Sequence, residues 1–145
     1  MHIRRATEAD LAEIIRLHQQ LDPAEPATSE ADARRIFERI NTYPDYAIYL
    51  AEVNGKIAGT FGLLVMDKLA HNGKPSALVE DVVVDEALRG QGIGREMMAF
   101  AMEHGRARGC YKLALSSNLK RTEAHAFYET LGFRKHGYSY AIDLE

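Results

Sequence analysis

The sequence has a single cysteine, Cys110, so no internal disulfide can form and nothing points to an oxidising compartment. It has no apolar run near the ~18 residues that a membrane-crossing helix needs. Basic residues follow Met1, but no apolar stretch stands behind them, so the start does not read as a secretory signal. A cytoplasmic protein is expected. An excess of positive charge is also missing: 18 Lys and Arg face 21 Asp and Glu, a formal net charge of −3. Nucleic acid is therefore not expected as a partner, since binding it usually needs a basic face. There is no internal repeat and no low-complexity tract. The six histidines show no His-x-x-x-His spacing, and no metal is expected.

What remains is an ordinary globular composition, 46% hydrophobic and 27% charged over 145 residues. That length suits a single domain, 1–145, which can bury roughly 68–70% of its unfolded surface. The stretch Asp22–Ala27, with Pro23 and Pro26, reads as a loop between two helices. Ile3 and Arg4 suit a short strand. Thr7 and Asp10 form an imperfect capping box before a helix striped by Leu11, Ile14, Ile15, Leu17 and Leu21. Ser29 and Asp32 repeat the capping pattern before Ile36, Phe37 and Ile40.

Tyr46–Val53 is rich in aromatic and branched residues, as strands are. Asn54-Gly55 follows as a hairpin turn, and Ile57–Met66 is the return strand. A polar loop, Asp67–Ser76, contains His71, which reads as a surface histidine. A third long strand runs from about Ala77 to Val84. Gly92–Arg108 is helical and stops at Gly109. Tyr111–Ser116 is a strand, Thr122 caps a helix to Leu131 that Gly132 ends, and Tyr138–Leu144 alternates as a last strand. A short extra strand is expected near Phe133–Lys135. The order β-α-α-β-β-β-α-β-α-β implies a mixed sheet with helices on its faces.

The densest chemical signal is Arg89-Gly90-Gln91-Gly92-Ile93-Gly94. It follows the apolar run Val82-Val83-Val84 and opens a helix. Backbone N–H groups at a helix start lack intrahelical partners and carry partial positive charge. Glycines let that backbone approach a phosphate oxygen, and Arg89 and Arg95 add full charges. The loop therefore suits a pyrophosphate. A Walker loop would end in Gly-Lys-Ser/Thr, but Gly94 is followed by Arg95-Glu96. A Rossmann fingerprint would place glycine at position 95.

Arg89, Gly92 and Gly94 match Arg/Gln-x-x-Gly-x-Gly/Ala, and Ala124–Phe133 matches Ala-x-x-Phe-Tyr-x-x-x-Gly-Phe about thirty residues later. On these motifs the chain resembles the GNAT superfamily of acyl-CoA-dependent N-acetyltransferases along its whole length. The resemblance implies an α/β (α+β) fold: a mixed, mostly antiparallel sheet of six to seven strands, about four helices and a splayed cofactor cleft. It implies acetyl-CoA as co-substrate, held by Val82, Val83, Val84, Arg89, Gly90, Gln91, Gly92, Ile93, Gly94 and Arg95. An N–H of Val83 or Val84 would polarise the thioester carbonyl. Tyr128 would protonate the departing thiolate, and Glu80, Asp81 or a water relay would take the amine proton.

Alternation puts Glu80 and Asp81 on opposite faces unless a bulge intervenes. The family's pantetheine-contacting Asn is replaced by Arg121, so Asn118 or Arg121 would serve the cofactor. Arg121, His125 and Tyr128 share one helix face by spacing. Ser116–Arg121 is similar to aminoalkylphosphonate N-acetyltransferases, and Gly109-Cys110-Tyr111-Lys112 to glucosamine-phosphate N-acetyltransferases. The expected partner is a small-molecule amine, with a protein N-terminus or lysine, or a non-catalytic CoA-binding module, as alternatives. A homodimer is the assembly kept in view.

Overall fold

The Asn54-Gly55 turn sets the frame. Both residues take positive φ, 52° and 77°, which the two-residue hairpin requires and which these residue types tolerate. The turn joins β2 (Tyr46–Val53) to β3 (Lys56–Met66). β1 (His2–Arg5) pairs antiparallel with β2, and β4 (Ser76–Val84) pairs antiparallel with β3. β5 (Leu113–Ala114) lies parallel to β4, touching it only at Ala77 and Leu78. The sheet order is β1-β2-β3-β4-β5.

Four α-helices accompany the sheet: α1 (Leu11–His18), α2 (Glu30–Ile40), α3 (Ile93–Ala107) and α4 (Thr122–Thr130). This computed structural model describes all residues from Met1 to Glu145. They divide into two compact units, Met1–Ala114 and Leu115–Glu145. No helix is long and apolar enough to cross a membrane.

In the first unit, strand alternation sends successive side chains to two helical layers. Leu50 packs with Leu11, Ile14, Ala33 and Phe37 of α1 and α2, and Ile48 supports that cluster. Tyr49 turns the other way, stacking on Phe61 at 5.5 Å and meeting Phe100 of α3 at 4.9 Å. Leu50, Phe61 and Met97 are fully buried, each adding about 1.5–3 kcal/mol of transfer free energy. Buried Thr60 loses nothing by its hydroxyl, which donates to the Tyr49 carbonyl at 2.9 Å. Gly59 is needed for close packing: a Cβ there would sit 2.8 Å from the Met97 sulfur and 2.9 Å from the Val83 carbonyl.

The capping patterns form as the sequence predicts. Thr7 N–H donates to Asp10 Oδ2 at 2.7 Å, and Asp32 N–H donates to Ser29 Oγ at 3.2 Å. A short 3₁₀ turn, Glu8–Asp10, precedes α1. Arg4 grips Asp10 through two 2.8 Å hydrogen bonds and reaches Glu52 at 2.9 Å, tying β1 and β2 to the start of the first helix. The Arg4 guanidinium pulls the Asp10 carboxyl down to about 2.

Four expectations are corrected. The sheet has five strands, not six or seven. Tyr111–Ser116 contributes only Leu113–Ala114 to pairing. Phe133–Lys135 and Tyr138–Leu144 form no strand, and Tyr138, Tyr140, Ile142 and Leu144 stand 84–93% exposed. Alternation chooses a face for a strand but cannot supply the neighbour that its N–H and C=O groups require. Thr122 is also the first residue of α4 rather than its cap, a place taken by Arg121 without a capping side chain.

Candidate functional site

β4 begins between two strands and ends paired on one edge only. Its pairing with β5 stops at Leu78, so from Val79 to Val84 that edge has no strand partner. On the opposite edge, Asp85 N–H donates to the Ala58 carbonyl at 2.8 Å. Backbone groups alternate along an antiparallel strand, so the N–H of Val84 faces the open edge. The Val83 side chain is buried.

The register against β3 slips at the same place. Gly62 pairs with Glu80 and Thr60 with Val83, so Asp81 and Val82 together oppose Phe61. Asp81 takes φ +51°, a left-handed conformation uncommon outside glycine, asparagine and aspartate. This is a β-bulge, and it cancels the simple alternation of Glu80 and Asp81. Both residues are exposed.

Beyond β4 the chain turns sharply. Asp85 accepts from Ala87 N–H at 3.1 Å and holds Arg16 of α1 at 3.0 Å. Gln20 accepts from Glu86 N–H at 3.0 Å. Arg89 Nε donates back to the Val84 carbonyl at 3.3 Å. Gly90 and Gly92 then adopt φ +80° and +82°, and a Cβ on either would meet nothing within 4 Å. The glycines are thus demanded by backbone conformation, and they border open space. Glu96 N–H already donates to the Gly92 carbonyl at 3.1 Å, which leaves the N–H groups of Ile93, Gly94 and Arg95 as the orphan donors of α3. The Ile93 side chain is buried, so its main chain alone is available. An open strand edge leading into left-handed glycines and three orphan donors fits a pantetheine arm followed by a pyrophosphate.

Around the bulge sit groups that the motifs did not reveal. A cavity of about 370 Å³ is lined by the end of α1, the 19–28 segment and Asp81. His18 lines it, and burial pushes its imidazole pKa down against the opposing charge of Asp81. Partial desolvation first, and the charge of Asp81 second, hold the Glu80 carboxyl above its ordinary range. Tyr46 lies over Gly62, where a Cβ would meet its ring at 3.3 Å and its hydroxyl at 3.4 Å. Burial and the charges of Asp81 and Glu80 raise its phenol. A signal for His18 did exist: it lies four residues after Ile14 and seven after Leu11, on the apolar stripe of α1. Tyr46 gave none, being one aromatic among several in β2.

In the second unit, Tyr128 is buried between aromatic rings, with Phe127 at 5.2 Å and Phe133 at 5.7 Å. Burial raises its phenol, and the Arg121 charge opposes that rise. Asn118 accepts from Lys120 N–H at 2.9 Å, and its carbonyl lies 2.8 Å from His125 Nε2. His125 is therefore engaged in holding the turn before α4. Arg121 has φ −88° and ψ 63°, so it caps α4 from outside rather than sharing its face. The Ser117 hydroxyl is buried without a hydrogen-bond partner. No three His, Cys, Asp or Glu side chains are grouped to hold a metal ion.

Comparison with known proteins agrees with this architecture. The profile of the Acetyltransferase (GNAT) family matches residues 12–133. The chain is 31% identical to the glucosamine 6-phosphate N-acetyltransferase of Trypanosoma brucei brucei over 144 residues, covering 99% of this chain and 96% of that protein. It is 34% identical to the aminoalkylphosphonate N-acetyltransferase of Salmonella typhimurium over 92 residues, covering 63% of this chain and 59% of that one. The crystal structure of glucosamine-6-phosphate N-acetyltransferase from Arabidopsis thaliana superposes with a TM-score of 0.87 at 30% identity, covering 99% of this chain and 98% of that one. The glucosamine-phosphate enzymes thus match more of the chain than the aminoalkylphosphonate enzyme does.

Proposed function

The chain belongs to the acetyltransferase (GNAT) family, and from that premise we propose that it transfers acetyl from acetyl-CoA to the primary amine of a small molecule by direct attack. The carrying observation is the β4 edge, unpaired from Val79 and running into the left-handed glycines before α3. Residues 1–145 are taken as one catalytic domain, because the family profile runs through both compact units.

Val84 would hold the pantetheine arm through its main chain at the open edge, flanked by Val82 and by Val83, whose own backbone groups are turned to β3. Gly90 to Arg95, with Arg89, would hold the pyrophosphate, and Asn118 and Arg121 are assigned to the cofactor as well. The Val84 N–H, turned to the open edge, is the donor assigned to the thioester carbonyl; one such donor can be worth ~2.7–4 kcal/mol. The amine attacks the carbonyl carbon, a C–N bond forms, and the C–S bond breaks. Glu80 or Asp81 takes the amine proton directly or through water. Tyr128, a phenol that burial makes still harder to ionise, gives a proton to the sulfur. Cys110 has no part, and burial raises its thiol.

The test is thiol release from acetyl-CoA with a panel of amines, paired with calorimetry of CoA binding. Product with at least one amine is expected. Tight CoA binding without any product would favour a non-catalytic CoA-binding module. A homodimer is proposed on the exposed alternation of Tyr138, Tyr140, Ile142 and Leu144, a strand pattern lacking a neighbour. Sedimentation equilibrium checks it, and a monomer at all concentrations would refute it.

A further inference from the structure

The cavity beside the bulge carries a statement about the acceptor. We propose that this cavity of about 370 Å³ receives the acceptor, and that its charge selects amines bearing a second ammonium group over amines bearing phosphate. The inference rests on the acetyl-transfer reading, because Asp81 both lines the cavity and precedes the open edge at Val82 to Val84.

The lining contains three carboxylates, Asp22, Glu25 and Asp81, and neither lysine nor arginine. None of the three enters an ion pair. Asp22 is oriented by accepting Ala24 N–H at 3.1 Å. Of the arginines on the adjoining helices, three are engaged elsewhere, and Arg39, in the last turn of α2, does not line the cavity. Arg16 holds Glu13 and Asp85, Arg34 reaches Glu8, and Arg35 pairs with Asp32.

His18 is the remaining basic group in the wall. Its burial disfavours the imidazolium, so it offers a neutral donor or acceptor and no standing positive charge. Ile15, Leu21 and Pro26 supply apolar wall for a short methylene chain. A phosphate placed here would face carboxylates without a cationic partner, and a second ammonium would find one of opposite sign. Like-charge juxtaposition is an effective means of excluding a wrong ligand. The phosphate named in the glucosamine 6-phosphate relatives thus has no counterpart in this wall.

The test measures kcat/KM of the full chain with acetyl-CoA for 1,4-diaminobutane and for phosphoethanolamine. The diamine should exceed the phosphate-bearing amine by tenfold or more. In the double variant Asp22→Asn with Glu25→Gln, that ratio should fall at least tenfold, chiefly through KM for the diamine. Glu25→Gln alone, with CoA binding as a check of folding, serves if the double variant fails to fold. A preference for phosphoethanolamine, or a ratio unmoved by the variants, overturns this inference and leaves acetyl transfer standing. Absence of product with every amine, while CoA binds, overturns the acetyl-transfer reading and this inference with it.

Discussion

Asp81 and Glu80 are consecutive on β4, yet the left-handed backbone of Asp81 makes it share Phe61 with Val82 while Glu80 keeps its regular place opposite Gly62. The bulge leaves both carboxylates exposed and close enough for the charge of Asp81 to hold the Glu80 proton more firmly.

That coupling predicts a kinetic signature. If Glu80 takes the amine proton, activity requires its ionised form, and the acid limb of kcat/KM follows its raised pKa. Asp81→Asn removes the repulsion and should shift the limb to lower pH. Glu80→Gln should abolish the limb and cost roughly 10²–10⁴-fold, the range for general base catalysis. A pH–rate profile unchanged in both variants would move the role to a water relay.

Tyr128→Phe removes one hydroxyl from an aromatic pocket and leaves the rings of Phe127 and Phe133 in place. We expect kcat to fall by about 10²–10⁴-fold with little change in acetyl-CoA affinity. Steady-state kinetics beside calorimetry separate these, and an unaltered kcat would strip Tyr128 of the acid role.

Gly92→Val places a branched side chain at φ +82° and into the open space of the loop. Gly109→Val is the matching control, because Gly109 is also left-handed, at φ +73°, and open. Both should lose stability through backbone strain of about 1–2 kcal/mol. Only Gly92→Val should weaken CoA binding. Equal CoA affinity in the two variants would detach the loop from the pyrophosphate.

Asp10 ties pH to stability at the other end of the sheet. Its carboxyl is held near 2 by Arg4, against 3.8 for the free group. A lowered carboxyl contributes stability above the unfolded value, and that contribution disappears as pH falls through the folded one. Asp10→Asn should therefore cost roughly 1–2 kcal/mol at pH 7, solvent screening included. The difference from the parent should vanish near pH 2. Urea titrations at both pH values measure it, and a pH-independent gap would mean the cost is steric.

Where a pattern is local, the sequence alone determined the outcome. The Asn54-Gly55 turn, the caps at Thr7 and Ser29 and the glycines before α3 fold as read, because each needs only a few adjacent residues to satisfy its own backbone. The glycine turn before α3 was legible for the same reason: left-handed φ at Gly90 and Gly92 is a property of residue type. Tertiary structure decided whatever needs a distant partner. It placed His18 and Asp81 in one cavity across 63 positions of sequence, slipped β4 against Phe61, and ended β5 after two residues. It also formed no strand from Tyr138–Leu144. Alternation and motif spacing record which face a residue presents; long-range backbone pairing and charge sharing depend on which other segment arrives there.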